Sequence, residues 1–331
     1  MSKLPSVLAV VLVLAGCGTA ATTSSDVPAA VSAEDLAKVT LKVGDQKGNA
    51  KSILTAAGLL ADVPYRIEWA TFTSGPPLLE AASAGAVDIG GVGNTPPIFA
   101  AAANAKIAVV SAAKGNVDSD AFLVPSDSPL DQIADLKGKS IAVAKGSSAH
   151  GQVLTTLREA GLSTKDVTLN FLQPSDAYAA FTQKRVDAWA VWDPYTAQAQ
   201  HEAGARVLAD GTGTANGYTF QVAGTAALAD PGKNSAIRDY LLRFAKAQRW
   251  ADTHHEEWAR AWAQETGLKV EVAKAAVDRG VDLPVALDDA VVSSEQQLAD
   301  AFSAEKTLPG KVDFAKFVDR RFVEDLRKGL S

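Results

Sequence analysis

Ser140-Ile-Ala-Val143-Ala-Lys145-Gly146-Ser147-Ser148-Ala149-His150 passes from a short β-patterned run through a glycine turn into a helix-patterned segment, Gln152 to Ala160. The same order of events stands about a hundred residues earlier. There Leu41 to Val43 leads through Gln46-Lys47-Gly48-Asn49 into an apolar-periodic segment from Ala50 to Leu60. The match extends outward on the far side of each helix. Tyr65 to Trp69 answers to Val167 to Leu172, Pro77 to Ala84 answers to Ala177 to Gln183, and Val87 to Val92 answers to Asp187 to Val191. Lys47-Gly48 recurs as Lys145-Gly146 and Val87-Asp88 as Val186-Asp187, at offsets of 98 and 99, and Ser74-Gly75-Pro76 stands opposite Pro174-Ser175-Asp176. Alternating β and helical runs predict mainly parallel sheets covered by helices, and the repetition predicts two of them. The fold class expected is α/β with two similar lobes.

Between the echoes, Ala121 to Pro129 is a β-run ending in turn residues, and Thr219 to Gly224 is a second. Both are expected to be strands crossing between the lobes, forming a hinge. From Ser235 the pattern is helical, with Ile237, Leu241, Phe244 and Ala245 on one face and further helices over 255–266, 270–279, 288–304 and 313–328. Two crossings return this tail to the first lobe, dividing the chain into 39–124 with 225–331, and 125–224. A length of 331 residues agrees, since one core rarely serves so long a chain. The formal charge of −6 argues against nucleic acid or an acidic membrane surface as partner, because both need a basic face.

At the N-terminus, Lys3 precedes an apolar run from Leu4 to Ala15 and then Leu14-Ala15-Gly16-Cys17. This reads as a bacterial lipobox, with residues 1–16 a signal peptide and Cys17 the acceptor of a diacylglycerol anchor. The run is well short of the ~20 residues that span a bilayer. Residues 17–38, rich in Ala, Thr and Ser at their start, are expected to be a flexible tether. The protein is therefore expected outside the cytoplasm, held to the cell membrane by lipid. Cys17 is the one cysteine, so stability must come from the core rather than from disulfides.

In parallel α/β sheets, ligands bind beyond the carboxyl ends of the strands, where the following helices begin. Five such turns are rich in Gly, Ser, Asn or Pro: Gln46 to Asn49, Thr73 to Pro77, Gly93 to Pro97, Lys145 to His150, and Trp192 to Tyr195. Each alone is explained by helix capping. Together, several helix N-termini aimed at one cleft make an anion site. In Trp189-Ala-Val191-Trp192, alternation sends the two tryptophans to opposite faces. One is core, and Trp192, at the turn, is a candidate to cover an apolar part of the ligand. Enzyme patterns are not met: Gly91-Val-Gly93-Asn-Thr-Pro96 has Pro where a dinucleotide fingerprint needs its third Gly, and Gly146 to Gly151 lacks nucleophile-elbow spacing. His254 and His255 are adjacent and point apart on a helix, against a metal site. No catalytic residue, metal or cofactor is expected.

Read in order, these turns resemble the aliphatic-sulfonate and taurine-type substrate-binding proteins of ABC importers. That family's Gly-aromatic-Gln-Lys-Gly stands here as Gly44-Asp45-Gln46-Lys47-Gly48, its Gly-Pro as Gly75-Pro76, and its Gly-Asp-x-Pro-Pro as Gly93-Asn94-Thr95-Pro96-Pro97. Lys-Gly-Ser-Ser-Ala-His and Trp-Asp-Pro-Tyr are intact at Lys145 to His150 and Trp192 to Tyr195. The resemblance implies a type II-like periplasmic-binding-protein fold, a monomer that delivers an organosulfonate anion to a membrane permease. Nitrate- and pyrimidine-type ligands, or a ligand-sensing module, are the alternatives within the fold. Carried over onto matching positions, the ligand set is Gln46, Gly48, Ser74, Gly75, Pro76, Asn94, Thr95, Gly146, Ser147, Ser148, His150, Trp192 and Asp193. Within it, Ser147 and Ser148 are expected to donate their hydroxyls to the anionic head. Asp45 replaces an aromatic and Asn94 an acid. If Asp45 faces the cleft it would favour a ligand with a cationic tail; otherwise it pairs with Lys47 or faces solvent.

Overall fold

The computed structural model describes residues 27–308 and 310–330. The signal peptide, Cys17 and the first part of the tether lie outside the described residues. The first sheet takes β1 (Thr40–Gln46), β2 (Arg66–Phe72), β3 (Ile89–Gly93) and β4 (Ile107–Lys114). The second takes β5 (Ala121–Val124), β6 (Ser140–Val143), β7 (Thr168–Phe171), β8 (Ala188–Val191) and β9 (Arg206–Asp210), after which β10 (Tyr218–Gly224) and β11 (Leu283–Val285) return to the first. Strand order is β11-β4-β10-β3-β1-β2 in one sheet and β7-β6-β8-β5-β9 in the other. Apart from the edge strand β11 the two plans coincide. β1 and β6 each lie between two parallel partners, and β10 and β5 each run antiparallel to both neighbours.

The sequence echo has an atomic counterpart. Asp88 donates its N–H to the Lys42 carbonyl at 2.7 Å while its Oδ2 accepts the Lys42 N–H at 2.8 Å. Asp187 does the same with Ser140, at 3.0 and 2.8 Å. Each aspartate thus locks the start of one strand to the strand beside it, which is why Val-Asp recurs at this place.

Burial follows from composition. Leu41 and Val43 of β1 pack with Ile53 and Leu54 of the helix Asn49–Ala56 against Ile237, Tyr240 and Leu241 of the helix Pro231–Ala251. That long helix begins at Pro231, where no N–H bond is lost, and is capped by Asp230 Oδ1, which accepts the Lys233 N–H at 2.8 Å. In the second lobe Trp189 is buried among Tyr178, Phe181 and Tyr195 on one sheet face, while Phe122, Val143 and Leu157 fill the other.

Three expectations need correction. β5 and β10 do not cross: each lies wholly within one sheet, because their apolar residues and backbone groups are satisfied there. The crossings are the residues 115–120 and 211–217, so the lobe boundaries fall there rather than at 124/125 and 224/225. These segments are tied to each other by Gly115 N–H to Gly217 O and Gly211 N–H to Val117 O, both 3.0 Å. Gly217, at φ 72°, could carry no side chain, since a Cβ would lie 2.7 Å from the Gly115 carbonyl oxygen. The tether is shorter than expected: Ser32 caps a turn of helix at Ala33–Leu36, and Leu36 and Val39 pack on the first lobe's core. The helix expected over 313–328 is broken. Val318 bridges to Val109 beside a 3-10 turn at Phe314–Phe317, and the helix itself covers Val323–Gly329.

Candidate functional site

Between the lobes lies a cavity of about 230 Å³ at the carboxyl ends of β1, β3 and β8. Five helices begin on its wall: Asn49–Ala56, Gly75–Ser83, Thr95–Ala102, Ser148–Glu159 and Tyr195–Ala203. The first three belong to one lobe and the last two to the other. Prolines follow Gly75 and Thr95 and leave those two residues as the opening N–H donors of their helices, while the Tyr195, Thr196 and Ala197 N–H groups are taken by Trp192 O and Asp193 Oδ1. Positive partial charge therefore enters the cavity from the starts at Gly75 and Thr95 on one side and at Ser148 on the other. The lobes meet around it, with Ser74 Oγ and Thr73 Oγ1 donating to Gln173 Oε1 at 2.8 and 3.1 Å.

Of the positions drawn from the sequence, Gln46, Gly75, Asn94, Ser147, Ser148, Trp192 and Asp193 stand on the wall. The other six do not. Gly48, at φ 69°, packs its turn against the helix His255–Thr266, where a Cβ would meet Glu265. Gly146 is pressed likewise against Phe99. Ser74 is fully buried in its bond to Gln173, and Thr95 in a bond from its Oγ1 to Asn94 Oδ1 at 2.9 Å. Pro76 shapes the first turn of its helix. His150 is buried among the rings of Phe99, Phe171 and Phe302, its Nδ1 accepting the Gly146 N–H at 3.1 Å. Burial holds its pKa down to about 4, so the ring is neutral and structural.

Asp45 stands on the cavity wall as well, but its carboxylate is used in another way than expected. It is buried, and its Oδ1 and Oδ2 accept the N–H groups of Ala50 and Lys51 at 2.9 and 3.2 Å. The carboxylate therefore occupies the start of the helix Asn49–Ala56 as an internal anion. It neither pairs with Lys47 nor is free for a cationic tail. Burial raises its pKa to about 6 against the pull of those two bonds.

The Ser147 hydroxyl is likewise committed: it donates to Ala144 O at 2.7 Å and accepts from the His150 N–H. It caps its helix, and donation to a ligand would break the bond to Ala144. Ser147→Ala should thus cost about 1 kcal/mol of stability and leave ligand affinity within error. Thermal unfolding and calorimetry on the same sample separate the two, and a loss of affinity without a loss of stability would reverse the assignment.

The wall also holds residues that lie in no strand-to-helix turn. Asp282 Oδ2 accepts from Thr219 Oγ1 at 3.0 Å. Burial, then the nearby charges of Asp282 and Asp193, hold Asp120 up to about 7, opposed by a bond from Ser148. Burial also raises Asp193, to about 6, against Arg279, whose Nη1 lies 2.5 Å from Asp193 Oδ2. Lys47 Nζ stands 5.8 Å from the centre of the Tyr195 ring. Its ammonium makes no ion pair among the described residues. Aromatic side chains of Trp192, Tyr195, Tyr218 and Trp262 complete the enclosure. Such a site can surround a small molecule, meet a negative head with backbone N–H groups and cover an apolar body. Sequence signals for Asp120, Thr219, Gln221 and Asp282 were lacking because a strand face and a loop carry them.

A model of the NMT1/THI5-like family matches residues 76–255. The "Putative aliphatic sulfonates-binding protein" of Escherichia coli (strain K12) is 37% identical over 278 residues, covering 82% of this chain and 86% of that protein. Among solved structures, the alkanesulfonate-binding protein SsuA of Xanthomonas axonopodis pv. citri bound to MOPS superposes with a TM-score of 0.77 at 35% identity, over 85% of this chain and 98% of that one. The periplasmic aliphatic sulphonate binding protein SsuA of Escherichia coli gives 0.74 at 34%, over 85% and 92%. The chain belongs to the NMT1/THI5-like family, in company with the aliphatic sulfonate-binding proteins that it matches over most of their length.

Proposed function

We propose that the protein is the extracytoplasmic binding component of an ABC importer, a carrier that encloses a small organosulfonate between its lobes and presents it to a membrane permease. The observation that carries this reading is the convergence of three open helix N-termini, at Gly75 and Thr95 from one lobe and at Ser148 from the other, on one cavity. A sulfonate stays ionised at any physiological pH and offers three acceptor oxygens. Unpaired N–H groups at helix starts suit it without requiring a neutralising guanidinium. The likeness to a MOPS-bound alkanesulfonate-binding protein over most of both chains supports the same ligand class.

Calorimetry of the chain from residue 24 with ethanesulfonate, nitrate and a pyrimidine tests the ligand class. Ethanesulfonate should bind and the others should not. Bound at a hundredfold excess over Kd, it should also stabilise the fold by about 2.7 kcal/mol. Binding of nitrate or the pyrimidine without the sulfonate would replace this reading.

Monomeric action and attachment through lipid on Cys17 belong to the same proposal. With no second thiol to take the diacylglycerol, Cys17→Ala should move the exported protein from the membrane to the soluble fraction. A variant that stays with membranes through a carbonate wash would remove the lipid anchor from the proposal.

A further inference from the structure

A second cavity, of about 270 Å³, adjoins the first. It lies behind β10, between the helix Pro231–Ala251, the segment 284–287 and the helix Val323–Gly329. Where the first cavity is ringed by acids and helix starts, this one is mainly apolar, with Leu241, Ala245, Leu287 and Leu326 on its wall; the arginines at its rim, Arg249 and Arg327, are engaged with the Leu330 carbonyl and Glu324. The two share Thr219, Phe220 and Gln221 of β10 with Phe244 and Gln248 of the helix Pro231–Ala251, so the partition between them is one stretch of strand and the side chains that stand between it and that helix. Gln221 is 5% exposed and Gln248 7%. Neither amide makes a side-chain hydrogen bond among the described residues, and Gln221 Oε1 is buried without a partner.

The buried Gln221 oxygen left unpaired costs free energy, and no side-chain hydrogen bond tethers either amide. Because both are long, flexible side chains, they can turn aside without breaking a bond. Phe244, in the same partition, offers an apolar surface to whatever passes.

We infer that the second cavity is a tail subsite: the apolar chain of a long alkyl- or arylsulfonate passes Gln221, Phe244 and Gln248 and lodges against Leu241, Ala245 and Leu287. This rests on the sulfonate reading. The charged head stays at the helix starts in the first cavity, and the division into a polar and an apolar chamber matches the two ends of such a ligand.

Calorimetry with ethane-, butane-, hexane- and octanesulfonate tests it in the wild type and in Ala245→Met, which fills the second cavity. Each added methylene carried into the subsite should tighten wild-type binding about fourfold, from roughly 0.8 kcal/mol per buried CH₂. Ala245→Met should weaken octanesulfonate by at least about tenfold, the worth of roughly two methylenes, and leave ethanesulfonate unchanged. Leu326→Phe narrows the same chamber from the terminal helix and should act alike, which guards against a variant that fails to fold. Affinity that does not grow with chain length in the wild type, or equal losses for short and long chains in both variants, would overturn the subsite while the carrier function stands. No binding of ethanesulfonate by the wild type would overturn the sulfonate reading and the subsite with it.

Discussion

Arg279→Met should destabilise the protein by about 3 to 5 kcal/mol, the range for removing one partner of a buried ion pair. Asp193 follows β8 in the second lobe, and Arg279 follows the helix Val270–Val277 in the first, so their bond spans the cleft. The side chains are 9% and 18% exposed, which leaves little water to screen them. Arg279 also donates to Gln200, while Asp193 Oδ1 accepts the Ala197 N–H at 3.0 Å and so caps the helix on its own side. Without the guanidinium, a desolvated carboxylate remains beside Asp120 and Asp118 with one N–H to hold it. Such a group would have to take up a proton or meet water through an opened cleft. Because the pair joins the two lobes beside the cavity, ligand affinity should fall along with stability.

The double variant Arg279→Met with Asp193→Asn separates a lost attraction from a stranded charge. The amide keeps an oxygen for the Ala197 N–H and carries no charge, so most of the stability should return. Urea unfolding of the wild type, both single variants and the double gives the coupling. A single Arg279→Met within about 1 kcal/mol of wild type would mean that the pair is in effect solvated, at the level of a surface bridge.

Which parts of this site were legible in the sequence depends on where the chemistry is carried. The repeat was readable because it is local: Lys-Gly turns and Val-Asp pairs recur wherever a strand must hand over to a helix, and both lobes need them at the same place. The turns pointed to the right region of the molecule, since Gly75, Asn94, Ser148 and Asp193 do stand on the cavity wall. Side-chain direction was not readable. The hydroxyl of Ser147 and the ring of His150 face their own helix start, where capping and packing hold them, and that outcome is decided by a few ångströms of tertiary approach from Phe99 and Phe302. Asp45 shows the same limit. Its substitution for an aromatic was visible, but the use of its carboxylate on Ala50 and Lys51 depends on the backbone path through the left-handed Lys47 and Gly48. Thr219, Gln221 and Asp282 were beyond reach for another reason: they come from distant parts of the chain and meet the site only because β10 inserts antiparallel between β3 and β4. That insertion is the step that misplaced the hinge as well.

Glu295→Gln should leave stability nearly unchanged at pH 5 and raise it by a few kcal/mol at pH 9. Glu295 lies fully buried in the helix Asp289–Ala304, with Oε1 accepting from Asn216 Nδ2 at 2.8 Å and Oε2 buried without a partner. Burial raises its pKa from 4.5 to about 8, and the bond from Asn216 offsets only part of that. A folded-state value above the unfolded one means that the folded chain holds the extra proton between about 4.5 and 8. The associated stability is complete below 4.5 and is lost as the pH climbs through about 8. Glutamine carries the same oxygen to Asn216 and never ionises, so that loss disappears. Asp45, Asp120 and Asp193, whose values are also raised, change stability in the same sense, and His150, held low, in the opposite sense below its usual range. All four are common to wild type and variant, so the difference between their unfolding curves isolates Glu295. The consequence reaches the ligand as well: Asn216 Oδ1 accepts from Asn94 Nδ2 at 2.8 Å, and Asn94 is on the cavity wall. Ionising Glu295 pulls on an amide that holds Asn94 in place, so wild-type affinity should decline above pH 8 while the variant's stays level. Parallel stability curves from pH 5 to 9 would show that Glu295 ionises in the fold as it does in the unfolded chain.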